Sequence, residues 1–250
     1  MKTLFTVLGS LFLSSFAVGA AQQKGRTVEI EVEKVFVPHS GYNDNNAVEL
    51  VVQGELPNPC FTLGETRVEK SAGGKLAIRQ MAWQRLTGAC DTGDLIDDPI
   101  PFTAVVPLGR IEAASYEISY RTEFGKTGRR AFDVAPALND EIDEFHYTIT
   151  RGVGAKEFYR EGETVELTLK GFIPSPCYKL IEPVKTEVQD DVVVVWPVLQ
   201  TLSGVECNYE LAEYSHTFTV PNLKAGSYLV HARSRGGDAV YQGFRVAKKK

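Results

Sequence analysis

Beyond its N-terminal stretch the chain has no apolar run long enough to cross a bilayer as a helix, which takes about 20 residues. It also lacks a basic excess. Lys and Arg number 27 against 32 Asp and Glu, a formal net charge of −5. A general nucleic-acid binder carries the opposite sign, so nucleic acid is not an expected partner. Cys-x-x-Cys is absent, which removes the simplest zinc and thioredoxin-like sites. His-Glu-x-x-His, Gly-x-Ser-x-Gly and both glycine-rich phosphate loops are missing too. No cofactor and no familiar catalytic centre is therefore expected. The four histidines, His39, His146, His216 and His231, include no close ligand pair. His39 falls in a turn after Pro38 and the others on expected strands, where only a triad assembled in space could use them.

What is present begins with a leader. Lys2 precedes an apolar run over residues 4–18, followed by the small residues Gly19, Ala20 and Ala21. A positive start, a short apolar core and a small-residue exit define a secretory signal peptide, with cleavage expected after Ala20 or Ala21. No cysteine stands at that exit, so a lipid anchor is not expected. The remaining chain is expected in the periplasm or the medium, without membrane insertion. Four cysteines in an exported chain imply disulfides. The last residues, Lys248, Lys249 and Lys250, read as a solvated basic tail or a weak contact for an anionic surface.

The strongest signal is an internal repeat. Cys60 and Cys177 are 117 positions apart (177 − 60), as are Cys90 and Cys207 (207 − 90). Gly54-Glu55-Leu56-Pro57-Asn58-Pro59-Cys60-Phe61 aligns with Gly171-Phe172-Ile173-Pro174-Ser175-Pro176-Cys177-Tyr178. Further on the offset falls to 112, where Ser115-Tyr116 matches Ser227-Tyr228 (227 − 115) and Arg121 matches Arg233. The chain thus divides into a leader (1–21), a first module (22–138), a linker (139–143) and a second module (144–250).

Short alternating runs separated by turn residues read as strands. They lie near 28–37, 47–53, 61–70, 75–85, 102–106, 115–122 and 130–134, then near 145–151, 164–170, 178–188, 192–200, 216–220, 227–234 and 239–246. Seven strands in roughly 110 residues point to an antiparallel sandwich in each module. A hairpin folded at Ala72-Gly73-Gly74 brings Cys60 close to Cys90, and one folded at Asp190-Asp191 brings Cys177 close to Cys207. One disulfide within each module is expected. Glu112-Ala113-Ala114-Ser115-Tyr116 and Lys224-Ala225-Gly226-Ser227-Tyr228 each introduce a late strand. With the strand count, these segments resemble bacterial immunoglobulin-like sandwich modules. The resemblance implies an all-β fold of two tandem antiparallel immunoglobulin-like sandwiches. Trp83, which lies just before the second cysteine of its module, departs from antibody-type domains.

Several features could carry function. Asp91, Asp94, Asp97 and Asp98 offer carboxylates to Ca²⁺ without EF-hand spacing, or form a solvated loop. Asn43-Asp44-Asn45-Asn46 reads as a turn. Arg121, Arg129 and Arg130, like Arg233, Arg235 and Arg245, flank late hairpins as a basic face or as protection of sheet edges. Most informative is where the copies disagree. Lys75, Ala77 and Arg79 on one strand face correspond to Val192, Val194 and Trp196. A strand apolar on both faces must be covered by the first module, a second copy of the chain or another partner, or else lie in a thicker core of its own module. These three residues are the candidate interface. The leading reading is a non-enzymatic exported binding or assembly protein whose partner is another protein or a surface glycan. The alternatives are a protease inhibitor presenting Pro57-Asn58-Pro59 or Pro174-Ser175-Pro176, and a carbohydrate-binding accessory of an extracellular enzyme.

Overall fold

Apolar alternation becomes strand over more than half of the described residues, because β-branched and aromatic side chains suit a pleated, half-buried surface. A computed structural model describes residues 24–92, 98–208 and 210–249. The expected leader at 1–21 lies outside them. Apart from one helical turn, α1 (Ala89–Thr92), and a 3-10 turn (Glu123–Gly125), the regular elements are strands.

The first half contains β1 (Gly25–Ile30), β2 (Lys34–Phe36), β3 (Tyr42–Asn43), β4 (Val48–Leu56), β5 (Phe61–Ser71), β6 (Lys75–Arg85), β7 (Ile100–Gly109), β8 (Ala114–Arg121) and β9 (Thr127–Ala135). β2, β4 and β7 form one sheet. The other runs from β6 through β8 and β9 to β3, with β5 and β1 also paired to β6. The second half contains β10 (Ile149–Gly154), β11 (Phe158–Arg160), β12 (Val165–Ile173), β13 (Tyr178–Leu180), β14 (Lys185–Gln189), β15 (Val192–Trp196), β16 (Leu199–Thr201), β17 (Ala212–Val220), β18 (Gly226–Arg233) and β19 (Ala239–Ala247). Here β10-β12-β17 form one sheet and β11-β19-β18-β15-β14 the other, with β13 and β16 paired separately.

The sequence repeat is also a repeat of pairing. The β4–β7 ladder sets Gly54 opposite Phe102, and the β12–β17 ladder sets Gly171 opposite Tyr214. Each half also holds two parallel pairs: β6–β8 and β3–β9 in the first, β15–β18 and β11–β19 in the second. Purely antiparallel pairing, expected from the sequence, therefore does not hold. The cause is topological. The chain leaves β6, runs back through β7 in the opposite sheet, and re-enters as β8 pointing the same way as β6.

Side chains of both sheets share one core in each half. Val48, Leu50 and Val52 of β4 pack with Leu76, Ile78, Ile118 and Phe132 from the other sheet. Leu167 and Leu169 of β12 pack with Val193, Val195 and Val230. Both expected disulfides are formed, Cys60–Cys90 and Cys177–Cys207, each with a sequence separation of 30. They fit an oxidising compartment. Among the described residues no helix is long and apolar enough to cross a membrane.

Candidate ligand groove at the junction of the two halves

A third buried cluster joins the halves, and strand parity explains it. Successive side chains point to opposite faces of a sheet. On β4, Val51 points away from the core that Leu50 and Val52 enter; on β15, Val192, Val194 and Trp196 point away from Val193 and Val195. These outward faces meet. Phe36 and Val51 of the first half pack with Tyr147, Val192, Val194, Trp196 and Leu229. The candidate interface residues are thus buried, Trp196 to 8 % exposure, and first-half residues take part in covering them. That face is not an open surface for a second copy or an outside partner.

Polar ties surround this apolar contact. Asp191, at the turn before β15, receives both Lys34 (2.7 Å) and Arg130 from the first half. Gln189 and Ser40 exchange two hydrogen bonds, each at 3.1 Å. Tyr241 donates to the Glu49 carboxylate at 2.6 Å. Arg233 donates through Nη2 to Asn46 Oδ1 at 2.8 Å and lies over the rings of Tyr42 and Tyr147. His231 meets Tyr42 edge-on at 5.6 Å between ring centroids. Burial, reinforced by the Arg233 charge, lowers His231 to about 3, so its ring is neutral near pH 7. Burial pushes Tyr42 up to about 12 and also raises Tyr241. The asparagine turn has a second task. The side chains of Asn45 and Asn46 hold the linker by its carbonyls at Asn139, Glu141 and Ile142.

Past the apolar contact the facing sheets part and leave a groove. A cleft of about 420 Å³ opens between Gln53, Glu55 and Thr103 on one side and Phe158, Gly243 and Arg245 on the other. A second hollow, of about 700 Å³, shares Glu33, Glu55 and Arg245 with it and continues past Glu31 and Glu123 to Phe124 and Lys126. Phe158 and Phe124 are 58 % and 87 % exposed. Phe124 has φ +60°, a backbone region that non-glycine residues seldom occupy. Gly243 helps keep the cleft open, since a Cβ there would stand 3.0 Å from Gln53 Nε2.

The other candidate residues are dispersed. Asp94 and Asp97 lie outside the described residues, as does the side chain of Asp91; Asp98 is exposed. Among the described residues no group of three or more metal-binding side chains gathers. In the proline loops, Asn58 Oδ1 accepts the Cys60 N–H at 3.0 Å and Ser175 Oγ accepts the Cys177 N–H at 3.4 Å, so both serve the turn before a disulfide. Pro174 and Ser175 are buried, whereas Pro57 and Pro59 of the first loop are exposed. The arginines split: Arg130 and Arg233 tie the halves together, and Arg245 reaches Glu33 at 3.7 Å. His39 and His216 stand 3.9 and 3.5 Å from Asp133 and Glu182. Leu229 and His231 escaped sequence reasoning, although the same comparison of copies points to them, since they replace Glu117 and Ser119.

No family model, no curated protein and no solved structure matches this chain.

Proposed function

We propose that the chain is an exported, non-enzymatic binding or assembly protein, built as two tandem immunoglobulin-like sandwiches, that takes its partner in the groove between them. The carrying observation is the junction itself. The halves are locked by an apolar core and polar ties, yet their sheets part at one end into a groove with two exposed phenylalanines. Ligand sites favour such junctions. The leader-like N-terminus and the two disulfides support export.

A surface glycan is the alternative occupant. Coplanar exposed aromatics would favour it. At the pocket beside the linker, the pairs Phe145–Tyr147 and His146–Tyr178 are inclined at 72° and 47°. They form no flat platform there, and in the groove the two exposed phenylalanines stand in separate hollows, which supports a polypeptide partner.

Gly243→Trp tests the site. Its side chain enters the cleft at a glycine whose close neighbour, at 3.0 Å, is the flexible end of Gln53. Mature protein and the variant are used side by side as baits in the host's exported fraction. A partner retained by the first and lost by the folded variant is expected. Identical capture by both would remove the groove from the function.

A further inference from the structure

We infer that the groove takes a basic polypeptide segment in extended form, its Lys or Arg side chains lying on Phe124 and Phe158 and reaching the adjacent carboxylates. The inference rests on the groove being the binding site. Shape favours an extended ligand, because the two hollows adjoin along the junction and share Glu33, Glu55 and Arg245. The aromatics supply anchors. Phe158 stands in one hollow and Phe124 in the other, both largely in water. A cation placed over such a face is attracted to it, and the aliphatic stem of Lys or Arg covers apolar surface at the same time.

Charge selects the sign. Of the groove's two cations, Arg245 stands 3.7 Å from Glu33 and Lys126 has no ion pair among the described residues; nearby Arg121 stands 3.6 Å from Glu31. Glu55, Glu123 and Glu157 have no ion pair among the described residues. The uncompensated charge is therefore negative, and a cationic segment complements it where an acidic peptide or anionic glycan would be repelled. The loop bearing Phe124 is tethered to the same wall, for Gly125 N–H donates to Glu31 Oε1 at 3.2 Å.

The test titrates fluorescein-labelled octalysine with the mature protein and follows anisotropy at low salt, then at about 0.2 M NaCl. Saturable binding that weakens with salt is expected. Glu55→Gln with Glu157→Gln should weaken it about tenfold, and Phe124→Ala or Phe158→Ala about threefold each. Glu65→Gln with Glu69→Gln, on β5 away from the groove, should leave it unchanged. Absence of binding at low salt, or equal loss in the groove and β5 variants, overturns the inference. If the captured partner still depends on Gly243 while octalysine neither binds nor competes, the basic ligand falls and the groove stands. Cellohexaose bound by the wild type but not by Gly243→Trp would likewise overturn the basic ligand in favour of a glycan.

Discussion

At the residue scale the junction holds an uncommon group. Arg233 is 3 % exposed, and its Nε and Nη1 find no acceptor. A buried cation without a carboxylate is costly, and the faces of Tyr42 and Tyr147 return only part of that cost. Arg233→Met should therefore change the unfolding free energy by less than about 1 kcal/mol, or raise it. Asn46→Ala leaves the charge buried, strips its Nη2 acceptor and also removes the bonds to the Asn43 N–H and the Ile142 carbonyl, so it should cost at least about 1–3 kcal/mol. Urea unfolding of the two variants checks this, and a loss of several kcal/mol in Arg233→Met would show that the charge itself stabilises. His231 adds a pH dependence. Its pKa falls from 6.5 to about 3 on folding, so between these values the unfolded chain holds the extra proton and stability drops as pH falls. Each pH unit in that window removes up to about 1.4 kcal/mol. His231→Leu should flatten the difference between stability curves at pH 6.5 and pH 4; an unchanged slope would refute the assignment. Both residues carry a trace in the sequence only through the repeat, since nothing in Tyr228-Leu229-Val230-His231-Ala232-Arg233 alone says that the second face is covered.

At the element scale, the legible strands were those whose alternation is unbroken. β6 has the bounds read from the sequence, and the flanking hairpins follow it closely. Failures occur where one run of suitable residues serves two sheets. The stretch read as one strand over 28–37 divides into β1, paired with β6, and β2, paired with β4. Residues 178–188 divide into β13 and β14 around Pro183, which cannot donate to a ladder. β11 was missed because its three residues are too few to show a period. The disulfides were legible because their spacing repeats. Each closes a loop of 30 residues, and replacing either pair by Ala should cost roughly 3–4 kcal/mol on the chain-entropy model, measured as a shift in the denaturation midpoint. β15 yields a sharper prediction. Val194 is 1 % exposed among Phe36, Val51 and Leu229, so Val194→Asp should cost more than about 3 kcal/mol and free the halves to move independently. Relaxation measurements on the folded fraction would register the second effect.

For the whole molecule, the consequence of the repeat is that its copies meet through different faces. The β2-β4 face of the first half packs on the β15-β18 face of the second, a head-to-tail contact. Repeating that operation would add further units at both ends and build a stack, open unless its rotation closes into a ring. The outer faces differ from the inner ones where such a stack would have to grow. On the outside of the first half, Lys75, Ala77 and Arg79 stand where the covered strand has Val192, Val194 and Trp196. Arg79 is further occupied by Glu29 and Glu69, at 2.8 and 3.2 Å. On the outside of the second half, Thr168 stands where the first has Val51. Lys75, Arg79 and Thr168, polar where the covered faces are apolar, would act as caps, as the end units of repeat proteins do. Removing both caps from one chain should therefore restore growth. Lys75→Val, Ala77→Val and Arg79→Trp combined with Thr168→Val are expected to give a folded protein whose sedimentation coefficient rises steadily with concentration. Either set alone presents only one adhesive face, and should associate far less. A quadruple variant that stays folded and sediments like the wild type over the same range would mean that the polar ties around Asp191, and not the apolar faces, decide which surfaces dock.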